Sequence, residues 1–272
     1  MTVWAILPSY ERPSQLQKVI QQLLDQELNQ NLMLLVLDAS KSNTSERMMQ
    51  SFFLGSSNVL YERIDSKFLW SKSVNHGFSL ISNNIDKADH ILILNDDIDF
   101  PNHAIQNLLD LASIKDRVLT ALEYLDDSFL VWTPEVKLKK LRVSSICKDS
   151  QGKFQTFNLD ICNSRFTLYP GWFIKNGYRF SSFTSPHHYA DLKFSLKARR
   201  NGILISGVPI RGYRSTIDPS VSSWDKRRIS YMFNRKSPGY LPAVFSFWFQ
   251  YITCQLTEFN FVKHFWTKVK RD

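Results

Sequence analysis

The stretch His90-Ile91-Leu92-Ile93-Leu94-Asn95-Asp96-Asp97-Ile98-Asp99-Phe100-Pro101 begins as an apolar run and ends in a cluster of carboxylates. The short apolar run from His90 to Leu94 predicts a strand that carries the acidic cluster at its end. Asp96, Asp97 and Asp99 would repel one another if all three were ionised without compensation. Because carboxylate oxygens are the ligands that Mg²⁺ and Mn²⁺ prefer, the cluster favours a bound divalent cation.

Strand and helix patterns alternate on the amino-terminal side of this cluster. The predicted strands are Val3 to Leu7, Leu32 to Leu37, Val59 to Arg63 and His90 to Leu94. The predicted helices begin at Ser14, with Gln17 completing a capping box, and cover Ser71 to Asn83 and Asn102 to Ala112. This alternation predicts an α/β fold with a mostly parallel central sheet and flanking helices, in which ligands bind beyond the carboxyl ends of the strands.

The pattern changes on the carboxyl-terminal side, where shorter β-rich segments precede one more helix. These strands are predicted at Val118 to Leu122, Phe129 to Thr133, Val143 to Ile146 and Phe166 to Tyr169. A helix from His187 to Asn201 follows, with Gly202 as its stop signal. We therefore expect one catalytic domain over residues 1–235, with halves 1–100 and 101–235, and a helical tail over residues 236–272.

Composition narrows the class of protein. The chain of 272 residues has 34 Lys and Arg against 25 Asp and Glu, a net charge of +9, which favours an anionic partner such as nucleic acid, a phosphorylated ligand or an acidic membrane. Its three Cys are widely spaced, so neither a disulfide framework nor a zinc site is indicated, and a reducing cytosol is the expected setting. The segment from Met1 to Pro8 lacks a basic region and predicts a strand, not a signal peptide.

Two further carboxylates, Asp38 and Asp191, occupy positions where ligand-binding or catalytic acids are often found. Asp38 ends the apolar run Leu34 to Leu37, where it can accept a hydrogen bond from a nucleobase or a ribose, although turn and cap Asp residues also lie at such places. Asp191 lies near the start of a predicted helix, whose dipole stabilises an anion, and an ordinary first-turn charge is the alternative. The acidic cluster itself has two registers, Asp96-Asp97 and Asp97-Ile98-Asp99.

In chain order, these motifs resemble an inverting family 2 glycosyltransferase of the GT-A fold, a Rossmann-like nucleotide-diphospho-sugar transferase fold, over residues 1–235. The segments that carry the resemblance are Leu7 to Pro13, Asp38, Trp70 to Gly77, Asn95 to Asp97 as the DXD motif, Gly177 to Phe180, Ala190-Asp191, and Arg199 to Gly202. The chain looks closest to bacterial enzymes that assemble lipopolysaccharide O-antigen or capsule. Ala190 replaces the first acid of the family's acid pair, which leaves Asp191 as the acid of that motif.

The resemblance implies a role for each matching residue. The donor nucleotide would be bound by Pro8, Tyr10, Arg12, Asp38, Lys72, Asn75 and Asp96. Asp97 and Asp99 would hold Mn²⁺ or Mg²⁺ with the donor diphosphate, and Asp191 would be the general base. The diphosphate or the acceptor would be contacted by Arg211, Arg227, Arg228, His187, His188 and Trp172. Many relatives carry a His where this chain has Arg211.

These candidates have simpler interpretations too. His187 and His188 are also typical of a loop or a cap, Arg227 and Arg228 of a solvated helix face, and Trp172 of a buried core.

The implied reaction moves a sugar from a nucleoside diphosphate, with UDP-sugar as the first expectation and dTDP-sugar as the second, to a saccharide or a polyprenyl-diphosphate-linked acceptor. Two alternatives stay open at this point. A haloacid-dehalogenase-like phosphatase would use Asp97 and Asp99, but Phe100 stands where that family has Thr or Val. A basic nucleic-acid-binding protein would explain the charge, but no zinc, helix-turn-helix or RNP pattern supports it, and we expect no nucleic acid partner.

The tail carries apolar residues at helical spacing, followed by Lys263, Lys268, Lys270 and Arg271. The pattern fits a helix that lies on an anionic leaflet, and equally one that packs on the catalytic domain or in a dimer. Polar residues interrupt the uncharged segment from Gly239 to Thr257, so we predict no transmembrane span. We expect a cytoplasmic protein that is peripheral at the inner face of the plasma membrane.

Overall fold

The computed structural model describes residues 1–53, 55–112, 117–125, 128–131, 135–137, 140–142, 145–148, 156–215 and 232–253. The strands are β1 (Thr2–Ser9), β2 (Asn31–Asp38), β3 (Val59–Arg63), β4 (His90–Leu94), β5 (Ile98–Asp99), β6 (Arg117–Leu125), β7 (Ser128–Val131), β8 (Glu135–Lys137), β9 (Lys140–Arg142), β10 (Ser145–Lys148), β11 (Phe157–Asn158), β12 (Phe166–Pro170), β13 (Leu204–Pro209) and β14 (Arg214–Ser215). The helices are α1 (Pro13–Leu24), α2 (Thr44–Phe53), α3 (Trp70–Ile81), α4 (Ala104–Ala112), α5 (Trp172–Lys175), α6 (Ala190–Arg200) and α7 (residues 241–253).

The principal sheet has the strand order β10-β7-β6-β12-β4-β1-β2-β3, with β13 also paired to β6 and β11 to β13. Strands β1, β2, β3 and β4 run parallel to one another, and β13 runs parallel to β6. Strand β12 is antiparallel to both of its neighbours, β4 and β6, so β6 runs in the same direction as β4. The predicted α/β fold with a mostly parallel central sheet is therefore confirmed, and the carboxyl ends of β1, β2, β4, β6 and β13 lie at one edge.

Side chains that alternate along the strands build one hydrophobic layer on each face of the sheet. In β1, Val3, Ala5 and Leu7 join the layer that buries the apolar stripes of α1, α2 and α4. Trp4 and Ile6 point to the other face, where α3 and α6 pack. Because the central strands are covered on both faces, their sequences are continuous apolar runs.

Gly77 allows α3 to approach the sheet closely. A Cβ atom at this position would lie 2.8 Å from Leu37 Cδ1 and 3.1 Å from Ile6 Cγ2. The approach fixes the amino end of α3, which begins at Trp70, beside the carboxyl ends of the strands.

Two helix starts differ from the sequence predictions. Helix α1 begins at Pro13, its N-cap Arg12 makes no side-chain capping bond, and the capping box predicted at Ser14 and Gln17 is wrong. Pro13 has no N–H and a fixed φ, so it starts the helix one residue earlier than Ser14 would. Helix α6 begins at Ala190, not at His187, because Tyr189 adopts a left-handed conformation with φ 64° that a helix cannot continue through.

Most other boundaries agree within a residue or two with the predictions. Strands β3 and β4 match the predicted bounds, and β1, β2 and β6 extend beyond them. Within the described residues, no helix combines the length and the apolar character needed to cross a bilayer.

Candidate functional site

The acidic cluster lies directly after β4, at the carboxyl edge of the sheet, and both Asp96 and Asp97 are buried. The Ser9 hydroxyl donates to Asp96 Oδ2 at 2.7 Å, and Arg12 Nη1 donates to Asp96 Oδ1 at 3.2 Å. The same Arg12 nitrogen lies 3.5 Å from Asp97 Oδ2. The last residue of β1 and the loop after it therefore supply a hydroxyl and a positive charge to the carboxylates after β4, as expected for neighbouring parallel strands.

The environment of Asp96 favours its protonated form more than water does. Burial raises the pKa of Asp96 to about 6, and the adjacent Asp97 charge raises it as well. The Ser9 hydrogen bond and the Arg12 charge lower this pKa but offset only part of the effect of burial. An additional positive charge at this edge would relieve the remaining cost of ionising the cluster.

Asp99 belongs to a different arrangement. It lies in β5, which pairs with β14 in a separate two-stranded ladder, and it forms ion pairs with Lys18 and with Arg214, whose Nε is 3.4 Å from Oδ2. Two protein cations thus balance its charge. Of the two registers left open by the sequence, Asp96-Asp97 is the one that directly follows β4.

Asp38 lies at the end of β2, next to β1, and is fully buried. Its Oδ2 accepts a hydrogen bond from the Tyr61 hydroxyl at 2.7 Å, and its Oδ1 accepts one from the Ser40 backbone N–H at 2.9 Å. Burial and the Asp38 charge raise the pKa of Tyr61, so this hydroxyl stays protonated and keeps donating. The carboxylate is held rigidly below the loop that follows β2.

The loops after β1 and β2 are tied together by Glu11. Its carboxylate accepts hydrogen bonds from the backbone N–H groups of Lys41 and Ser42 at 2.7 and 3.2 Å, and from the Ser42 hydroxyl at 2.6 Å. These bonds lower the pKa of Glu11, and its backbone adopts a left-handed φ of 54°. Lys41 and Ser42 also line an open cavity of about 340 Å³ with Asn43, Thr44 and Arg47.

Asp191 is the second residue of α6 and is partly buried. Ser164 donates its backbone N–H to Oδ2 at 3.1 Å, and Leu192 donates its own to Oδ1 at 2.8 Å. Burial raises the pKa of Asp191 above its ordinary value, while these two N–H groups lower it. A carboxylate that is oriented by backbone donors and made more basic by burial is suited to accept a proton.

Arg165 is a site residue that the sequence analysis missed. It immediately precedes β12, its carbonyl accepts the Asn95 N–H at 3.0 Å, and its positive charge lowers the pKa of both Asp191 and the buried Tyr213. The backbone at residues 164 and 165 therefore contacts both Asn95, next to the acidic cluster, and Asp191. No local signal marks it, because its position depends on β12 entering the sheet beside β4.

Several predicted donor-binding residues line the same edge in different ways. Pro8 is the second-to-last residue of β1, opposite Leu37 of β2, and the Tyr10 ring is exposed with the Lys236 ammonium 4.8 Å from its centroid. Lys72 places its ammonium 3.9 Å from the centroid of Phe68.

Asn75 makes a different kind of contact. Its side-chain amide donates to the Phe180 carbonyl at 2.9 Å and accepts from the Phe180 N–H at 2.9 Å. Both of its polar groups are thereby bonded to one backbone unit, so Asn75 holds the 180s segment against α3.

The loop before α6 brings His187 and His188 towards this edge. Ser71, at the start of α3, donates both its N–H and its hydroxyl to the Pro186 carbonyl, at 3.2 and 2.8 Å. The two imidazole rings lie next to each other with centroids 4.6 Å apart. Arg211 is exposed in the turn after β13, at the same edge, and the next residue, Gly212, has a φ of 85°.

Trp172 is placed elsewhere. It follows Pro170, which pairs with His90 at the amino end of β4, so it lies at the opposite edge of the sheet from Asp96. There its ring packs on Phe173 and Tyr178. Arg227 and Arg228 lie outside the described residues.

The comparisons with known proteins agree with this geometry. The family model described as glycosyl transferase family 2 matches residues 4–169, which is more than half of the chain. The chain belongs to glycosyltransferase family 2. The matched region of this glycosyltransferase contains the ends of β1, β2 and β4 and therefore the acidic cluster. No curated protein matches the sequence significantly.

Solved structures support the same fold. A mannosyltransferase from Pyrobaculum calidifontis, in complex with GDP-Man and Mn²⁺, superposes with a TM-score of 0.55 at 9% identity, covering 76% of this glycosyltransferase and 56% of that protein. Residues 1–349 of TarS from S. aureus superpose with a TM-score of 0.56 at 16% identity, covering 91% and 72%. The chain thus spans little more than half the length of the mannosyltransferase, and the similarity concerns the GT-A fold.

Proposed function

We propose that this family 2 glycosyltransferase is a metal-dependent, inverting enzyme that transfers a hexosyl or deoxyhexosyl group from a nucleoside diphosphate. A UDP-sugar is the first donor class and a dTDP-sugar the second. The observation that supports the proposal is that Asp38 at the end of β2, the Asp96-Asp97 pair after β4 and Asp191, bonded just before β12, all belong to the same edge of the sheet. Family membership leaves no support for the phosphatase and nucleic-acid-binding alternatives.

The residues present fit a Mg²⁺ or Mn²⁺ ion that is held largely by the substrate. Within the described part of the chain, no group of three or more His, Cys, Asp or Glu side chains is arranged to hold a metal ion. Such ions are commonly bound by one or two carboxylates together with substrate phosphates and water. Asp97 would supply the carboxylate, because Asp99 is paired with Lys18 and Arg214. When bound, the ion would neutralise charge on the departing diphosphate.

In the proposed reaction, Asp191 accepts the proton of the acceptor hydroxyl. As that oxygen bonds to the anomeric carbon, the bond from this carbon to the donor phosphate oxygen breaks, and the electron pair leaves with the nucleoside diphosphate. Attack from the face opposite the leaving group inverts the anomeric configuration. A base is required because a neutral sugar hydroxyl is a poor nucleophile.

The cations around the edge would hold the anionic parts of the donor. Arg12 stands beside both Asp96 and Asp97, and the positive charge of Arg165 acts on Asp191. Arg211 would reach the diphosphate from the β13 turn, where many relatives have a His, and Arg227 and Arg228 stay predictions for the same group. His187 and His188, three to four positions before the base, would contact the acceptor.

The acceptor we propose is a saccharide or a polyprenyl-diphosphate-linked saccharide in the synthesis of a surface glycan such as lipopolysaccharide or capsule. The enzyme would then work in the cytoplasm, peripherally at the inner face of the plasma membrane. Support comes from the net charge of +9 and from the uncharged helix α7.

The test is the thermal stability of the full chain with UDP, dTDP, GDP or CMP, each with and without Mn²⁺. A ligand that binds only the folded state raises the melting temperature. We expect UDP with Mn²⁺ to give the largest increase and dTDP with Mn²⁺ the next. The absence of stabilisation by any nucleoside diphosphate would overturn the proposal, and an equal increase without Mn²⁺ would remove the metal from it.

A further inference from the structure

The exposed residues of helix α7 are all apolar. The residues from 241 to 253 include no charged side chain. The exposed positions of the helix are Pro242, Phe245, Phe249 and Ile252, which follow one another at helical spacing along one side. Phe245 and Phe249 are 70% and 72% exposed, and Ile252 is 49% exposed. A helix face that meets water alone normally carries charged and polar residues.

The opposite face of α7 is already used. Phe247, Trp248 and Tyr251 are buried in a cluster with Leu192 and Leu196 of α6. The Lys193 ammonium donates to the Ser246 hydroxyl, and the Gln250 side-chain amide donates to the Lys193 carbonyl at 3.3 Å. The inner face of α7 therefore packs on α6. The outer apolar face is not part of this packing.

Further exposed apolar and basic residues precede α7 in the chain. Met232 and Phe233 are 41% and 64% exposed, and Arg235 and Lys236 are exposed next to them. The sequence after residue 253 adds Lys263, Lys268, Lys270 and Arg271. An exposed apolar face beside clustered positive charge matches an anionic lipid surface, which attracts the charge and accepts the rings.

We propose that the outer face of α7, formed by Phe245, Phe249 and Ile252, inserts into the interface of an anionic lipid bilayer. Charge decides between this occupant and a second copy of the chain, because two molecules of net charge +9 repel each other, whereas an anionic leaflet attracts both. The inference deepens the proposed function and rests on it only for the reason why the enzyme docks. Because α7 packs on α6, the helix that contains Asp191, docking would hold the proposed base near lipid-linked acceptors.

The test measures binding of the full chain to vesicles of phosphatidylcholine that contain phosphatidylglycerol, and to vesicles of phosphatidylcholine alone. We expect binding to the anionic vesicles only. The double variant Phe245→Ser and Phe249→Ser should weaken this binding by at least about tenfold, since each ring contributes apolar area to the interface. Phe52→Ser is the matched control, because Phe52 is an equally exposed ring (63%) on α2, and it should bind like the wild type.

Three results would overturn the inference: no binding of the wild type to anionic vesicles, wild-type binding by the double variant, or a dimeric wild type that the double variant converts to a monomer without any vesicle binding. The last result would assign the face to a second copy. Stabilisation by UDP with Mn²⁺, measured on the same preparations, shows that each variant is folded. It also separates the two proposals, because lost vesicle binding with intact nucleotide binding concerns α7 alone.

Discussion

The Ser164 backbone N–H donates to Asp191 Oδ2 at 3.1 Å, a contact between residues 27 positions apart in the chain. Ser164 is itself held by its hydroxyl, which lies 2.7 Å from the hydroxyl of the buried Tyr169 in β12. The orientation of the Asp191 carboxylate is therefore set by the central sheet as well as by α6. Such a fixed carboxylate needs little rearrangement before it accepts a proton.

Asp191→Asn should abolish transfer while leaving donor binding intact. The amide keeps the shape of the side chain but cannot accept the proton, and general bases typically contribute about 10²- to 10⁴-fold to a rate. The measurement is the rate of transfer to an acceptor, together with the thermal shift by UDP and Mn²⁺. Asp25→Asn, at the exposed end of α1, should retain full turnover; near-normal turnover in Asp191→Asn would make the base assignment wrong.

The charge of Arg165 should set the acidic limb of the pH profile. Activity requires ionised Asp191, so the rate falls as the pH drops through its raised pKa. The positive charge of Arg165 lowers that pKa, and Arg165→Gln should therefore raise it and shift the acidic limb to higher pH. The measurement is kcat against pH. Arg165→Lys keeps the charge and should keep the limb; identical limbs in the wild type and Arg165→Gln would contradict this coupling.

Asp97→Ala should remove the dependence of donor binding on the metal. Without this carboxylate, the ion loses its proposed protein ligand, so adding Mn²⁺ should no longer increase the thermal stabilisation by UDP. Titration calorimetry of UDP with and without Mn²⁺ gives the same comparison as affinities. Asp25→Ala serves as the control, and a Mn²⁺ effect that survives in Asp97→Ala would move the ligand elsewhere.

Tyr61→Phe should destabilise the fold because it leaves Asp38 Oδ2 without the donor it has in the buried site. The loss of a partner by a buried charged group costs about 1–3 kcal/mol of the free energy of unfolding. Urea denaturation measures this change. Tyr240→Phe, outside the site, should cost less, and equal stability of the two variants would show that the Tyr61 hydroxyl contributes little.

Gly171→Ala should also destabilise the fold, for steric reasons. An added Cβ would lie 2.5 Å from the Asp86 carbonyl oxygen and 2.7 Å from that of Asp89, and neither is a flexible group. Overpacking of this kind costs about 1–3 kcal/mol. The exposed Gln50→Ala on α2 is the control in the same denaturation experiment, and an unchanged Gly171→Ala protein would mean that this loop shifts freely.

The sequence was sufficient to predict β4 and the carboxylates that follow it, because a strand covered on both faces has a continuous apolar run whose end is visible. The same reasoning indicated Asp38 at the neighbouring edge position. It could not indicate that Tyr61 holds Asp38, since that contact depends on the parallel register of β2 and β3. No local sequence pattern indicates Arg165 either, because it reaches the site only where β12 enters the sheet antiparallel to β4.

Two other differences arise from backbone features that hydrophobic periodicity does not reveal. The helical pattern before Asn201 continues back to His187, but the left-handed backbone at Tyr189 ends the helix at Ala190. Trp172 was predicted to contact the diphosphate or the acceptor, with a buried core position as the alternative, and the direction of β12 carries it to the other edge of the sheet.

The paired hydrogen bonds between Asn75 and the Phe180 backbone join the two predicted halves, residues 1–100 and 101–235, and β12 from the second lies directly beside β4 of the first. The principal sheet is built from strands of both predicted halves. The halves are therefore poor units for exchange between relatives by recombination, because a foreign half would have to reproduce both the β12 register and this amide contact. Diversification of donor and acceptor preference in such a protein should proceed by point substitutions in the loops at the edge, with the halves inherited together.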